Sequence, residues 1–203
     1  MTLPTLISKM SGRVPRFVTV AGQIVAGNQV VSTANGHYHP ELGRVTSVRR
    51  HTDHGGMPLH EAAGPQWWER DPERLELEAA AMTAAFPGFE PVETRGRPAW
   101  WGVLDTGRGH FEITVVHRGD HGLPYVVPSK PSLFRRKEGR RFRWAPHRYS
   151  DGNLCVASAE DWDADRDEAS TVVGWAADWL ATFTTWRITG RGWPCEGVEV
   201  DAW

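Results

Sequence analysis

Cys155 is the residue best placed by type and setting to do chemistry. It closes Gly152-Asn153-Leu154-Cys155, inside a stretch (146–161) with few regular features. A thiolate is a strong nucleophile even at modest population, and a thioester conserves the energy of an acyl group. In a glycine-containing loop between a sheet and a helix, the thiol is expected to be exposed enough to react. The alternative is a buried structural cysteine. His147 lies eight residues upstream and Trp162 seven downstream. A cysteine hydrolase built on Cys155 and His147 is one option, but it lacks an orienting third group. Cys195, in Trp193-Pro194-Cys195-Glu196, reads as a relay thiol, a disulfide partner or a tail cysteine without chemistry.

Other clusters offer less. His37, His39, His51, His54 and His60 crowd the N-terminal part, and His110, His117 and His121 surround a hairpin. Histidine clusters suggest zinc, but no cysteine accompanies the first group and His-x-His alone says little. Surface histidines are the expectation, and no metal is assigned. Arg135, Arg136, Lys137, Arg140, Arg141 and Arg143 form the one basic cluster. It is either a solvated hairpin tip or a hold for an acidic partner.

These residues need elements to position them. Residues 65–86 predict a helix, with Trp67, Trp68, Leu75, Leu77, Ala81, Met82 and Ala85 roughly at helical spacing and Phe86-Pro87-Gly88 as its stop. Strands are expected at 99–105, 110–117 and 123–128, and a fourth at 133–144. The second shows the period of two most clearly, with Phe111, Ile113 and Val115 on one face. A long helix follows over 166–187, with Val172, Val173, Trp175, Ala176, Trp179, Leu180, Phe183 and Trp186 on an apolar face. Residues 16–25 read as a strand, 28–31 as the start of a return strand and 34–60 as loop. Strands in one run with helices at the ends mean α+β with an antiparallel meander. No glycine-rich phosphate loop follows a strand.

Composition narrows the class. The chain has 203 residues, 23 basic against 25 acidic, and a net charge of −2. That balance argues against a dedicated nucleic-acid binder. No apolar run reaches the length of a membrane span, and the first residues do not resemble a signal peptide. Two cysteines are too few for a disulfide framework, so a reducing cytoplasm is the expected compartment. Only three of the basic residues are lysines (Lys9, Lys130 and Lys137), which leaves few amines on the surface.

The order helix, four-stranded meander, Pro146-His147, Gly152-Asn153-Leu154-Cys155, Trp162, helix resembles the ubiquitin-conjugating enzyme family. That family has a His-Pro-Asn motif shortly before a G-x-[IL]-C active-site segment, and a tryptophan follows. Pro124 and Pro128 resemble its proline-rich segment after the third strand. Residues 186–194 resemble the C-terminal end of bacterial members, which occur in operons for antiphage signalling or ubiquitin-like conjugation. The resemblance covers about residues 65–194. It implies a ubiquitin-conjugating-enzyme-like α+β fold: N-terminal helix, four-stranded antiparallel meander, active-site loop and C-terminal helix. Residues 61–203 would form the catalytic domain, and 1–60 an N-terminal extension or small hairpin.

The resemblance also implies a mechanism. An activating (adenylating) enzyme would pass the carboxylate of a ubiquitin-like protein to Cys155 as a thioester, and an amine would then attack. A nucleotidyltransferase is a candidate target. The family's asparagine is missing, and Arg148 or Tyr149 occupies its place. His147, Asn153 and backbone N–H groups are the candidate oxyanion donors. Asp161, Asp163 and Asp165 are candidates to orient the amine, or else a solvated acidic turn. No cofactor, nucleic acid or membrane is implied. The competing expectation is a non-catalytic module of the same fold that binds a ubiquitin-like protein.

Overall fold

Asp71-Pro72 divides the first helical stretch. The computed structural model describes residues 15–52, 56–138, 141–189 and Trp193, with backbone only over 134–138 and 141–143. In it, the segment expected to be one helix forms α1 (Trp67–Arg70) and α2 (Pro72–Ala85). Pro72 has no N–H to continue α1, and the Asp71 side chain accepts the Arg74 N–H at 2.9 Å, capping α2.

The central sheet is a four-stranded antiparallel meander in the order β6-β7-β8-β9. Its strands are β6 (Glu90–Thr94), β7 (Arg97–Asp105), β8 (His110–Val116) and β9 (Tyr125–Lys130). Phe111, Ile113 and Val115 are buried along β8, as their alternation requires. The fourth strand, however, is β6 and not residues 133–144. Those residues form a separate hairpin of β10 (Phe134–Glu138) and β11 (Arg141–Trp144). β6 carries no alternating apolar pattern, because four of its five residues are exposed. Its signal was the turn: Arg95 and Gly96 both take positive φ (53° and 75°), the twist that joins tightly paired strands.

The N-terminal part is a correction too. Five short strands form a second antiparallel sheet, ordered β2-β1-β5-β4-β3. They are β1 (Arg16–Thr19), β2 (Ile24–Ala26), β3 (Val31–Thr33), β4 (Gly36–His39) and β5 (Gly43–Val48). Most of what reads as loop over 34–60 therefore begins as two strands. Its small apolar cluster holds only Phe17, Val25 and Val45, and β3 is exposed throughout, so periodicity had little to report.

α3 (Ala169–Thr189) lies against both sheets. Trp175, Trp179, Leu180 and Phe183 are fully buried, and so are Val172, Val173, Ala176 and Ala177 on other faces. A helix apolar all round must be covered all round. The meander and α2 cover one side. On the other, β1 contributes Val18 to the same core, and Arg16 grips Asp178 of α3 through both carboxylate oxygens (2.7 and 2.8 Å). The Trp175 indole donates to the Arg49 carbonyl (2.9 Å), and the Asp105 N–H to the Ala21 carbonyl (2.7 Å).

One buried acid joins the helices. Glu78 of α2 is fully buried and accepts the Ala169 N–H at the start of α3 (2.7 Å), with Arg74 at 3.5 Å. Burial raises its pKa from 4.5 to about 7, against the pull of the Ala169 N–H and Arg74. The fold thus favours the neutral acid. That preference is fully present below the unfolded pKa and is lost as pH rises towards 7. Urea midpoints should therefore fall between pH 5 and pH 8, with a contribution from Glu78 on the order of 3 kcal/mol at most. In Glu78→Gln this part of the pH dependence should vanish. An equal slope in both proteins would show that Glu78 is not its source.

Candidate active site

A short β-ladder positions the cysteine. Arg148 and Leu154 form an antiparallel bridge, the Tyr149 N–H donates to the Asn153 carbonyl (2.9 Å) and the Cys155 N–H to the His147 carbonyl (3.2 Å). The turn is closed by Gly152, whose φ of +96° suits glycine. Leu154 also bridges to Val126 of β9, its N–H donating to the Val126 carbonyl (2.9 Å), so the loop is zipped to the edge of the meander. From inside the core, the Trp179 indole donates to the His147 carbonyl (3.0 Å). That bond holds His147 at φ +54°, a left-handed conformation few side chains adopt.

The register decides which side chains meet. Residues 149 and 155 lie on one face of the ladder as diagonal neighbours, within reach of an aromatic side chain. Burial, and then the thiol, push the pKa of Tyr149 well up, so the phenol keeps its proton. The Cys155 sulfur also faces the Ala157 carbonyl at 3.9 Å.

Cys155 is 0% exposed, contrary to the expectation of an accessible thiol. The physical reason is the ladder. Residues 154–157 continue the edge of the sheet and all four are buried. The segment 56–62 crosses the outside of the loop. Gly56 bridges to Tyr149 and accepts the Ser150 N–H (3.0 Å). Further along, the Leu59 carbonyl accepts the Tyr125 hydroxyl (3.3 Å), and the His60 carbonyl accepts from Arg118. Glu61 pairs with Arg97 (2.7 Å) and accepts the Gly119 N–H (2.6 Å).

The other sequence candidates are occupied elsewhere. The His147 ring packs on Trp193 (centroids 5.3 Å apart), which also touches Trp179 and Trp186. The Asn153 amide donates to Asp151 (2.9 Å). Asp163 shapes its own turn: its carboxylate accepts the Asp165 N–H (3.1 Å), and its carbonyl accepts the Arg166 and Asp167 N–H groups. Asp161 accepts the Thr52 N–H (2.7 Å). Arg148 lies on the Trp144 ring (4.6 Å) and donates twice to the Gly152 carbonyl (3.1 and 2.5 Å), clamping the turn before the cysteine. Tyr149 is buried on the ladder face that Cys155 shares. It was visible only as an occupant of the missing asparagine's place.

The histidine clusters resolve into local bonds. His37 pairs with Ser32 (2.7 Å), and His39 accepts the Glu41 and Leu42 N–H groups. His117 is buried, and desolvation, then His121 and Arg74, lower its pKa to about 4, so it is neutral. The Trp67 ring stacks on His121 (4.4 Å) and meets His117 edge-on (5.2 Å). Among the described residues no group of three or more His, Cys, Asp and Glu could hold a metal. Nor, among them, is any helix long and apolar enough to cross a membrane. His54, Arg140 and Cys195 lie outside the described residues, and the side chains of the basic cluster are not described.

A family model described as Type II CBASS E2 protein matches residues 78–200. The chain belongs to that family, a bacterial antiphage family of ubiquitin-conjugating-like proteins. The match takes in most of α2, the meander, the cysteine loop and α3, and leaves the β1–β5 sheet outside. No curated protein and no solved structure matches the chain.

Burial makes a direct forecast for the thiol. Iodoacetamide should modify Cys155 in the folded protein at least about tenfold more slowly than in urea, because only the opened loop presents it. Mass mapping of the alkylated peptide separates Cys155 from Cys195. Equal rates in both conditions would mean that the ladder does not protect the sulfur.

Proposed function

We propose that this protein is a ubiquitin-conjugating-type acyltransferase. It carries a ubiquitin-like protein, or the C-terminus of a target protein, as a thioester on Cys155 and passes it to an amine in a bacterial antiphage or conjugation pathway. The observation that carries this reading is the family match across the segment that holds Gly152-Asn153-Leu154-Cys155. The element order supports a ubiquitin-conjugating-like domain over residues 61–203, with 1–60 as its extension. The partners would be an activating enzyme and a ubiquitin-like protein, with a nucleotidyltransferase as a candidate target. A reducing cytoplasm would keep the acceptor as a thiol.

Charging requires the loop to open. At the loop itself segment 56–62 is held by the Gly56 bridge and the Ser150 N–H to the Gly56 carbonyl, which can open without breaking the ion pair that anchors Glu61 to Arg97. A docked activating enzyme could supply that energy through its own contacts. Within the opened site, His147 and Asn153 are the near polar groups of the motif, and Asp163 stands beyond the loop as the acid for an incoming amine.

The second reading is a non-catalytic module that binds a ubiquitin-like protein. The full burial of Cys155 favours it. One experiment separates the two. With an activating enzyme, ATP and a ubiquitin-like protein, the acyltransferase forms a thiol-sensitive adduct that Cys155→Ala abolishes, while Cys155→Lys traps a stable amide. An adduct that persists in Cys155→Ala removes the carrier role. Binding without any adduct establishes the module.

A further inference from the structure

Strand pairing fixes which way the Cys155 side chain points. Residues opposite each other across a ladder share a face, and successive residues alternate. Trp100, Val115, Val126 and Leu154 are joined by such pairs, and all four belong to the core round α3. Cys155, one residue on from Leu154, therefore faces away from that core. So do Tyr125, Val116 and Ala99, which pair in turn along the other face. Ala99, Val116 and Cys155 are buried all the same, so they are covered from the outer side.

Residues 56–62 run along that side. Across the sheet the order is residues 147–149, residues 153–155, then β9, since Leu154 bridges to both Arg148 and Val126. Gly56 lies outside the first of these, bridged to Tyr149. Three residues on, the Leu59 carbonyl accepts the hydroxyl of Tyr125, on the outer face of β9 (3.3 Å). The chain between them thus passes over the middle strand, on the side to which Cys155 points. Its bonds gather at the far end. There the His60 carbonyl accepts from Arg118, the Ala62 N–H donates to Asp120 (2.9 Å), and Glu61 pairs with Arg97 and accepts the Gly119 N–H (2.6 Å). At the near end stand the Gly56 bridge and the Ser150 N–H to the Gly56 carbonyl (3.0 Å). Gly56, Met57, His60 and Ala62 are exposed and Pro58, Leu59 and Glu61 half-buried, so no residue of the segment is itself buried. The segment also lies outside the residues that the family model matches.

We propose that residues 56–62 are an autoinhibitory strap over Cys155, latched at Gly56 and anchored at Glu61. The role rests on the thioester reading above. Latched, the strap closes the outer face, and no acyl donor reaches the sulfur. Unlatched, it swings on its Glu61 end and leaves the ladder and the core intact. The population of the open state then sets the rate of charging, because the donor meets Cys155 only there. The latch needs glycine. Gly56 has φ +125°, which a β-branched residue adopts only under strain, and open space lies where its side chain would go. A larger residue there strains the latch without striking a neighbour.

Gly56→Val is the direct test. Iodoacetamide modification of Cys155 in the folded protein, read by peptide mass, should quicken about tenfold. The urea midpoint should stay close to the parent's, since no buried residue is touched. Charging with an activating enzyme, ATP and a ubiquitin-like protein should quicken by a similar factor. Tyr125→Phe keeps the ring, removes the tether to Leu59 and should move both rates the same way, by about threefold. It decides the matter if Gly56→Val does not fold. Alkylation at the parent's rate overturns the proposal. So does a rise that comes only with a lower urea midpoint, which would mean that the whole ladder had loosened. Faster alkylation with unchanged charging makes the segment a cover without control and overturns it too. Faster alkylation with no Cys155 adduct in parent or variant keeps the strap as the cover and rejects the acyltransferase reading, so the two failures are distinguishable.

Discussion

The structure turns on a helix with no solvent face over its central turns. α3 carries Trp175, Trp179, Leu180 and Phe183 on one flank and Val172, Val173, Ala176 and Ala177 on others, all of them fully buried. Such a helix is stable only if apolar surface meets it from every direction. The meander cannot do this alone. The β1–β5 sheet completes the cover, and Arg16 satisfies the one acid, Asp178, that α3 turns towards it. The N-terminal part is therefore structural to the core, whatever else it does.

The same helix sets the site. Trp179 spends its ring in the core and its indole N–H on the His147 carbonyl. His147 in turn accepts the Cys155 N–H, so the cysteine backbone is two hydrogen bonds away from the centre of α3. The price of that rigidity is access, because a cysteine zipped to a sheet edge is a buried one. Arg148, clamped on Gly152 and stacked on Trp144, stiffens the turn further. A site of this kind is preorganised and closed together.

Legibility followed the strength of local patterns. The alternation Phe111, Ile113, Val115 and the helical spacing of Trp175, Trp179, Phe183 and Trp186 are features of single elements that bury apolar faces, and both were readable. β6 was not, since Glu90, Pro91, Val92 and Glu93 lie on an exposed edge and bury nothing. The first sheet was missed for a related reason. Its strands are three to six residues long, and its hydrogen bonds run between segments distant in sequence, as in the pairing of Arg16 with Val48. The division at Asp71-Pro72 was written in the residues but masked by the helical spacing on either side.

By itself the sequence determined the α+β class, the apolar mass of the last helix and the Gly152-to-Cys155 motif that points to the family, because these depend on residue type and short spacing. Only the tertiary structure decided that Cys155 is buried, that Asn153 and Asp163 spend their side chains locally, and that Tyr149 and Cys155 share one face of the ladder. The burial of Cys155 and the face it shares with Tyr149 depend on strand register. A shift of one residue would send residue 149 and residue 155 to opposite faces, and no local pattern in residues 146–161 specifies which register holds. It is specified by Val126, Trp179 and Gly56, three contacts brought from elsewhere in the chain.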